Sequence, residues 1–282
     1  MHPLLRLVRP GNVTVSFLGT VVGALVARGS GLSLGTGFWL FAILAAGSTA
    51  CVTAGGNVLN DLGDERSDRT NHPDRPIVTG AVTPRTARGL AIGLLAFSFL
   101  LVLPLLPGAP LVGVIWAGAV GVLLLYEFRF KAEGLVGNAQ VAALTAGVFL
   151  YGGAAAGNAG VLLPFALMAF FATLSREVIK DMEDAEGDVD RRTLPRTRGM
   201  GVAGATARGA VAVAIGFSPI PLVSFLAIGS AVGIIYLALV AAADAVFLVS
   251  VVWLPRKLHL EQTLSKGAMT MALLAFLVAA FR

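Results

Sequence analysis

Cysteine and histidine are almost absent from this chain. The single Cys51 excludes an intrachain disulfide framework. His2, His72 and His259 are scattered, so no Cys/His set of the kind that holds zinc exists. Charge is equally scarce. Only 13% of the 282 residues are Asp, Glu, Lys or Arg, 56% are hydrophobic, and the mean hydropathy is +0.83. That composition excludes an ordinary soluble domain. No stretch alternates with the period of a β-strand. No basic module interleaved with aromatics is present either, so the net charge of +5 does not point to nucleic acid.

What the chain does have is a series of apolar runs of bilayer-spanning length. They predict nine helices near 11–28, 36–60, 85–107, 109–127, 136–157, 160–181, 202–218, 229–253 and 263–281. Arg6 and Arg9 before the first run, with Leu25-Val26-Ala27 behind it, imitate a signal peptide. The run is too long for one, and eight more follow. The 34 glycines suit membrane helices that approach closely, and Gly19-xxx-Gly23 and Ala117-xxx-Gly121 fit that use. Ser218-Pro219-Ile220-Pro221 ends the seventh helix and leaves 222–228 open between loop and helix.

Basic residues set the orientation. With the N-terminus inside, 19 of the 21 Lys and Arg residues fall in cytoplasmic segments, and only Arg28 and Arg282 lie at outer ends. The expected architecture is therefore all-α: one polytopic domain over 1–282, nine transmembrane helices around a central cavity, N-in and C-out, in the cell membrane.

Acidic residues gather on the same side. Twelve of 16 lie in two segments, within loops at about 61–84 and 181–201 or just before them. The segments match: Asn60-Asp61-x-x-Asp64-x-x-x-Asp68, then, 120 residues on, Lys180-Asp181-x-x-Asp184-x-x-x-Asp188. At about 100° per residue each triplet occupies a sector of roughly 60° on one helical face. Two facing strips of carboxylate suit hard divalent cations such as Mg²⁺, which take oxygen ligands, waters and substrate phosphates. Arg75 after the first strip, Lys180 beside the second, Lys131 after the fourth helix and Arg9 with Asn12 at the opening of the first all fall on the same side, where the basic residues can neutralise phosphate. A charged cleft backed by apolar helices suits a lipid diphosphate, whose leaving group needs neutralisation as its bond breaks.

These residues resemble those of the UbiA superfamily of intramembrane prenyltransferases. Asn60 to Asp68, followed by Arg75-Pro76, is similar to its first motif, and Asp181 to Asp188 to its second. Arg9-Pro10 with Asn12, Tyr126 with Lys131, and Gly137-Asn138 fall where that family has recurrent residues. The resemblance implies a nine-helix bundle, Mg²⁺ dependence and transfer of an isoprenyl group from its diphosphate. Asp61, Asp64, Asp68, Asp181, Asp184 and Asp188 would be the metal ligands and catalytic acids. Arg9, Asn12, Asn60, Arg75, Tyr126, Lys131, Asn138 and Lys180 would be the substrate-binding set. The segment Arg176 to Asp188 with Thr193-Leu194-Pro195 most resembles the archaeal branch that joins a geranylgeranyl group to geranylgeranylglyceryl phosphate. Val189-Asp190-Arg191-Arg192 departs from that branch in being more charged. Other readings are an aromatic acceptor, as in quinone or chlorophyll pathways, and a cation transporter. The strips lie at helix ends, however, whereas transporter ion sites lie near the midplane. Asp244, inside the eighth helix, is either functional or a hydrogen-bond partner within the bundle. Trp39, Trp116 and Trp253 read as structural.

Overall fold

Proline marks where several helices begin. Pro10, Pro84 and Pro110 each occupy a first turn, where a missing N–H costs nothing and the fixed φ suits the helix. Thr83 caps its helix by accepting from the Thr86 amide at 3.2 Å. Gly29, with φ of 72°, carries the chain out of the helix ending at Arg28. The computed structural model describes residues 2–29, 35–187, 191–224, 226–227, 229–252, 254, 256 and 258–282. Trp253 and Asp188 lie outside them.

Among the described residues there is no strand. The helices are α1 (Pro3–Val8), α2 (Pro10–Arg28), α3 (Thr36–Gly63), α4 (Glu65–Asn71), α5 (Pro84–Val102), α6 (Pro110–Leu125), α7 (Leu135–Ala155), α8 (Leu163–Glu183), α9 (Leu194–Arg198), α10 (Met200–Phe217), α11 (Ile220–Ser224), α12 (Ala231–Val252) and α13 (Leu258–Ala279). Nine of them, some lengthened by a short 3-10, π or α-helical turn, are long and apolar enough to cross a membrane. Of the stretch left open, residues 222–224 belong to α11, and 225 and 228 lie outside the described residues. The ninth span starts at Leu258 rather than 263, because His259 and Gln262 bond to Glu183 and extend the helix toward α8.

Small residues govern the packing. α2 lies against α3, α7 and α13, while α8 lies against α7, α10 and α13. A Cβ on Gly23 would stand 2.6 Å from the Phe149 carbonyl oxygen, and one on Gly152 would overlap the Thr20 carbonyl oxygen. The Gly19-xxx-Gly23 pair thus serves close approach. The Ala117-xxx-Gly121 pair does not: nothing lies within 4 Å of a Cβ built on Gly121, because that face of α6 points away from its neighbours. Phe149, Phe165 and Phe276 meet edge to face at 5.4 and 4.6 Å and tie α7, α8 and α13 together. Trp116 donates its indole N–H to Ser98 at 3.0 Å, a structural role. Asp244 makes a bundle contact, accepting from the Ser218 hydroxyl at 2.7 Å where α10 breaks.

At one end the fold prepares a polar layer. α3 has 28 residues, about 42 Å at 1.5 Å each, against a hydrocarbon core of roughly 30 Å. Its last turn, with Asn60 and Asp61, can therefore stand clear of the lipid. Ile77 and Val82 are buried against Leu7, Val58 and Ala87, which folds the loop after α4 back over the end of α3. That return aims Arg75 at the acids.

Candidate active site

The first acidic strip is built across a hinge. α3 ends at Gly63 and α4 starts at Glu65, with Asp64 between them at φ −94°. The bonds from Asp64 N to Asn60 O (2.9 Å) and from Asp68 N to Asp64 O (2.8 Å) keep the helical register through the hinge. Asp61, Asp64 and Asp68 consequently share one side, and all three are buried.

Buried carboxylates cost several kcal/mol each unless cations and hydrogen bonds compensate them. Here they are compensated densely. Arg9, held with φ of 52° between α1 and α2, pairs with Asp61. Arg75 Nη1 bridges Asp61 at 3.1 Å and Asp68 at 2.5 Å. Lys131 Nζ lies 3.1 Å from Asp64 and 2.9 Å from Glu127. Arg191, from the segment after α8, also pairs with Asp64. With its amide turned to satisfy both neighbours, Asn60 donates to Asp64 Oδ2 and accepts from Lys131 Nζ, each at 3.1 Å. Four carboxylates thus face four cations.

A π-helical turn at Tyr126–Phe130 supplies Lys131. Its amide bonds back five residues to Tyr126 O at 2.8 Å, and its ammonium lies 5.9 Å from the Tyr126 ring centroid. Tyr126 in turn packs on Gly137, whose Cβ position is 3.3 Å from the ring.

The second strip ends α8. Asp181 accepts from Asn138 Nδ2 of α7 at 2.8 Å, and Asp184 caps the helix. The two acidic segments meet. Arg191 reaches Asp64, and Gly187 lies so close to Asn71 that any side chain would overlap its amide. Arg192 N bonds to Ala132 O at 2.8 Å, which brings in the loop after the π turn. Lys180 Nζ lies 3.4 Å from Glu177, a buried acid that also binds Arg176 Nη1 at 2.7 Å.

Electrostatics separate the acids. Burial opposes ionisation of Asp64, but Lys131 and Arg191 outweigh it and hold the carboxyl below the usual aspartate value. Burial dominates at Asp68, aided by Asp64 and Asp61, and raises its carboxyl despite Arg75. Burial likewise raises Asp184, with Lys180 working against it.

The expected residues Arg9, Asn60, Asp61, Asp64, Asp68, Arg75 and Lys131 therefore form one network, with Tyr126 beside it. Asn138, Asp181, Asp184 and Lys180 form its second wall. Asn12 stands aside, its amide 3.5 Å from Asn57. Glu127, Glu177, Arg176 and Arg191 belong to the site and were not among the expected residues. Their sequence signal is acid inside an apolar helix with base three or four residues on: Glu127 with Lys131, and Glu177 with Lys180. Among the described residues no three Asp, Glu, His or Cys side chains converge as a ready-made metal cage. The donor set nonetheless fits Mg²⁺, since it is all carboxylate and amide oxygen. Mg²⁺ takes only one or two protein carboxylates and completes its shell with water and phosphate.

Nine apolar helices with two acidic segments brought together at one end define an intramembrane prenyltransferase. The sequence matches the UbiA prenyltransferase family over residues 16–277, and the chain belongs to that family. It is 37% identical to the digeranylgeranylglyceryl phosphate synthase of Methanopyrus kandleri over 98% of both chains. It is 34% identical to that of Thermococcus gammatolerans over 99% of both. A solved structure described as concerning digeranylgeranylglyceryl phosphate synthase in membranes superposes with a TM-score of 0.76 at 28% identity, covering 99% of this chain and 97% of that one. A UbiA homologue from Archaeoglobus fulgidus, bound to GPP and Mg²⁺, shares the fold with a TM-score of 0.72 at 21% identity, covering 98% of each chain.

Proposed function

We propose that this prenyltransferase moves a geranylgeranyl group from geranylgeranyl diphosphate to the glycerol hydroxyl of geranylgeranylglyceryl phosphate, with Mg²⁺, at the cytoplasmic face of the cell membrane. The observation that carries this is the union of the two acidic segments through Arg191 and Asp64, with Arg9, Arg75 and Lys131 in the same layer. The names carried by relatives similar over nearly the whole chain support the acceptor.

Asp61, Asp64, Asp68, Asp181, Asp184 and Asp188 would hold Mg²⁺, some through water. Bound there, the ion supplies charge neutralisation on the diphosphate as its bond to carbon breaks. Arg9, Arg75, Lys131 and Arg191 bind phosphate oxygens when substrate draws them from the carboxylates. Asn60 and Asn138 orient the strips, and Tyr126 walls the cleft beside Lys131. Lys180 contacts the acceptor phosphate. The C1–O bond breaks with its electron pair leaving on diphosphate. The acceptor hydroxyl oxygen bonds to C1, and its proton passes to the released diphosphate. An electrophile of allylic-cation character needs little prior deprotonation, so no dedicated base is required.

Asp64→Ala and Asp184→Ala should each reduce Mg²⁺-dependent diphosphate release by more than about a thousandfold while the protein stays folded in detergent. Near-normal turnover in both would sink the metal assignment. Mass spectrometry of products, with prenylglyceryl phosphate and 4-hydroxybenzoate offered side by side, tests the acceptor. Prenylation of the benzoate alone would overturn it.

A further inference from the structure

Arg176 is a charge inside a membrane-spanning helix. It precedes Asp181 by five residues, which sets it about 7.5 Å deeper along the α8 axis. Ionised side chains at such depth are costly and are kept for function. At about 100° per residue, Arg176, Lys180, Asp184, Glu177 and Asp181 follow one another across roughly 140° of the helix. The two cations therefore form one edge of the second acidic strip.

Glu177 fixes that edge. It is buried and binds Arg176 Nη1 at 2.7 Å and Lys180 Nζ at 3.4 Å. Burial and these two contacts keep it off the lipid-facing surface. Arg176 and Lys180 keep 25% and 36% of their side-chain surface exposed. A guanidinium carries five N–H donors and an ammonium three, so one carboxylate leaves most of them available. Glu177 thus holds two cations at the edge of the acidic strip, Lys180 within electrostatic reach of Asp184 and Arg176 on the deeper side.

We propose that Arg176 and Lys180, tethered by Glu177, form the subsite for the phosphate monoester of the lipid acceptor. The inference rests on the prenyl-transfer reading above and deepens it. A donor diphosphate held in the acidic layer directs its C1 toward the bundle interior. The attacking hydroxyl approaches C1 from the side opposite the leaving group, hence from deeper in the protein. In a glycerol phosphate whose phosphate sits on the neighbouring carbon, that phosphate then lies about one helical turn below the acids, at the level of Arg176. A cation pair separate from Arg9, Arg75 and Lys131 gives the second phosphate its own counter-charge. Glu177 is a positioning residue. Without it the cations at i and i+4 repel each other and swing toward Asp181 and Asp184.

The test uses the full chain in detergent and two acceptors that differ only in phosphate: geranylgeranylglyceryl phosphate and neutral geranylgeranylglycerol. Arg176→Gln should raise KM for the phosphate acceptor about 30-fold, leave donor KM within about twofold, and erase most of the preference for the phosphate acceptor over the neutral one. Arg176→Lys should recover part of the loss. Glu177→Gln should weaken discrimination between the acceptors in the same direction. A second measurement needs no turnover: with chelator present and donor absent, the phosphate acceptor should raise the melting temperature of the wild type but not of Arg176→Gln. Equal losses on both acceptors, or a raised donor KM with the acceptor KM unchanged, would overturn the subsite. Wild-type protein that binds the phosphate acceptor without prenylating it would keep the subsite and sink the reaction. Wild-type protein that does neither would overturn both.

Discussion

Asp64 accepts contacts from two cations that are far apart in sequence, Lys131 and Arg191. It is buried, so removing either cation leaves charge poorly compensated in a low-dielectric site. Arg191→Gln and Asp64→Asn should each destabilise the protein, and the double variant should lose less than their sum. The coupling should be about 1.5–3 kcal/mol in a cycle of unfolding measurements in detergent, as found for buried contacts within one network. Coupling near zero would mean that the two loops do not meet in solution. The sequence signalled Arg191 only as an oddity, a surplus of charge before Thr193-Leu194-Pro195. Nothing local identifies a partner 127 residues away, whereas the acids themselves were legible from spacing alone. Glu127 escaped notice for a different reason. A lone acid near the end of an apolar helix resembles a solvated terminus until the π turn wraps Lys131 back over it.

At the scale of helices, prolines and hydropathy located all nine spans, most ends within three residues and the seventh and ninth missing by six and five, because in a bilayer the backbone must satisfy itself within each segment. The break at Asp64 was not legible: the bonds through the hinge keep the 3.6-residue period that an unbroken helix would have. Nor did sequence distinguish working glycines from idle ones. Gly19, Gly23, Gly118 and Gly121 look alike in composition, yet only the first two abut another helix. The contrast gives a paired prediction. Gly152→Leu would drive a side chain into the Thr20 carbonyl, a rigid backbone atom, and force α2 and α7 apart. It should lower stability by about 3 kcal/mol or prevent folding. Gly121→Leu, on an open face of α6, should change stability by less than about 0.5 kcal/mol. Because α2 carries Arg9 at its start and α7 carries Asn138, separating them should also cost activity. Equal behaviour of the two variants, measured by thermal unfolding in one detergent, would show that α2 and α7 do not pack through these glycines.

For the whole molecule, nine spans put the two ends of the chain on opposite sides of a membrane, and the basic residues gather at one of them. Lys and Arg resist translocation in short loops, and on that ground we propose that the crowded side faces the cytoplasm. Diphosphate donors, being charged, would then meet the acidic layer directly from the aqueous cell interior while their chains enter from the bilayer. Cys51, the one native thiol, lies within α3 and can be replaced to give a clean background. A single cysteine at exposed Thr70, on α4 beside the acids, should react with an impermeant maleimide only after right-side-out vesicles are opened. A cysteine at Phe281, which is exposed at the other end of the chain, should react in sealed vesicles. The reverse pattern would turn the protein over and put the acidic layer outside, where a cytoplasmic diphosphate could not reach it. Labelling at both positions in sealed vesicles would instead reduce the number of spans to an even one. The two outcomes separate an error of orientation from an error of topology, since the first keeps an odd number of spans between the two labelled positions and the second does not.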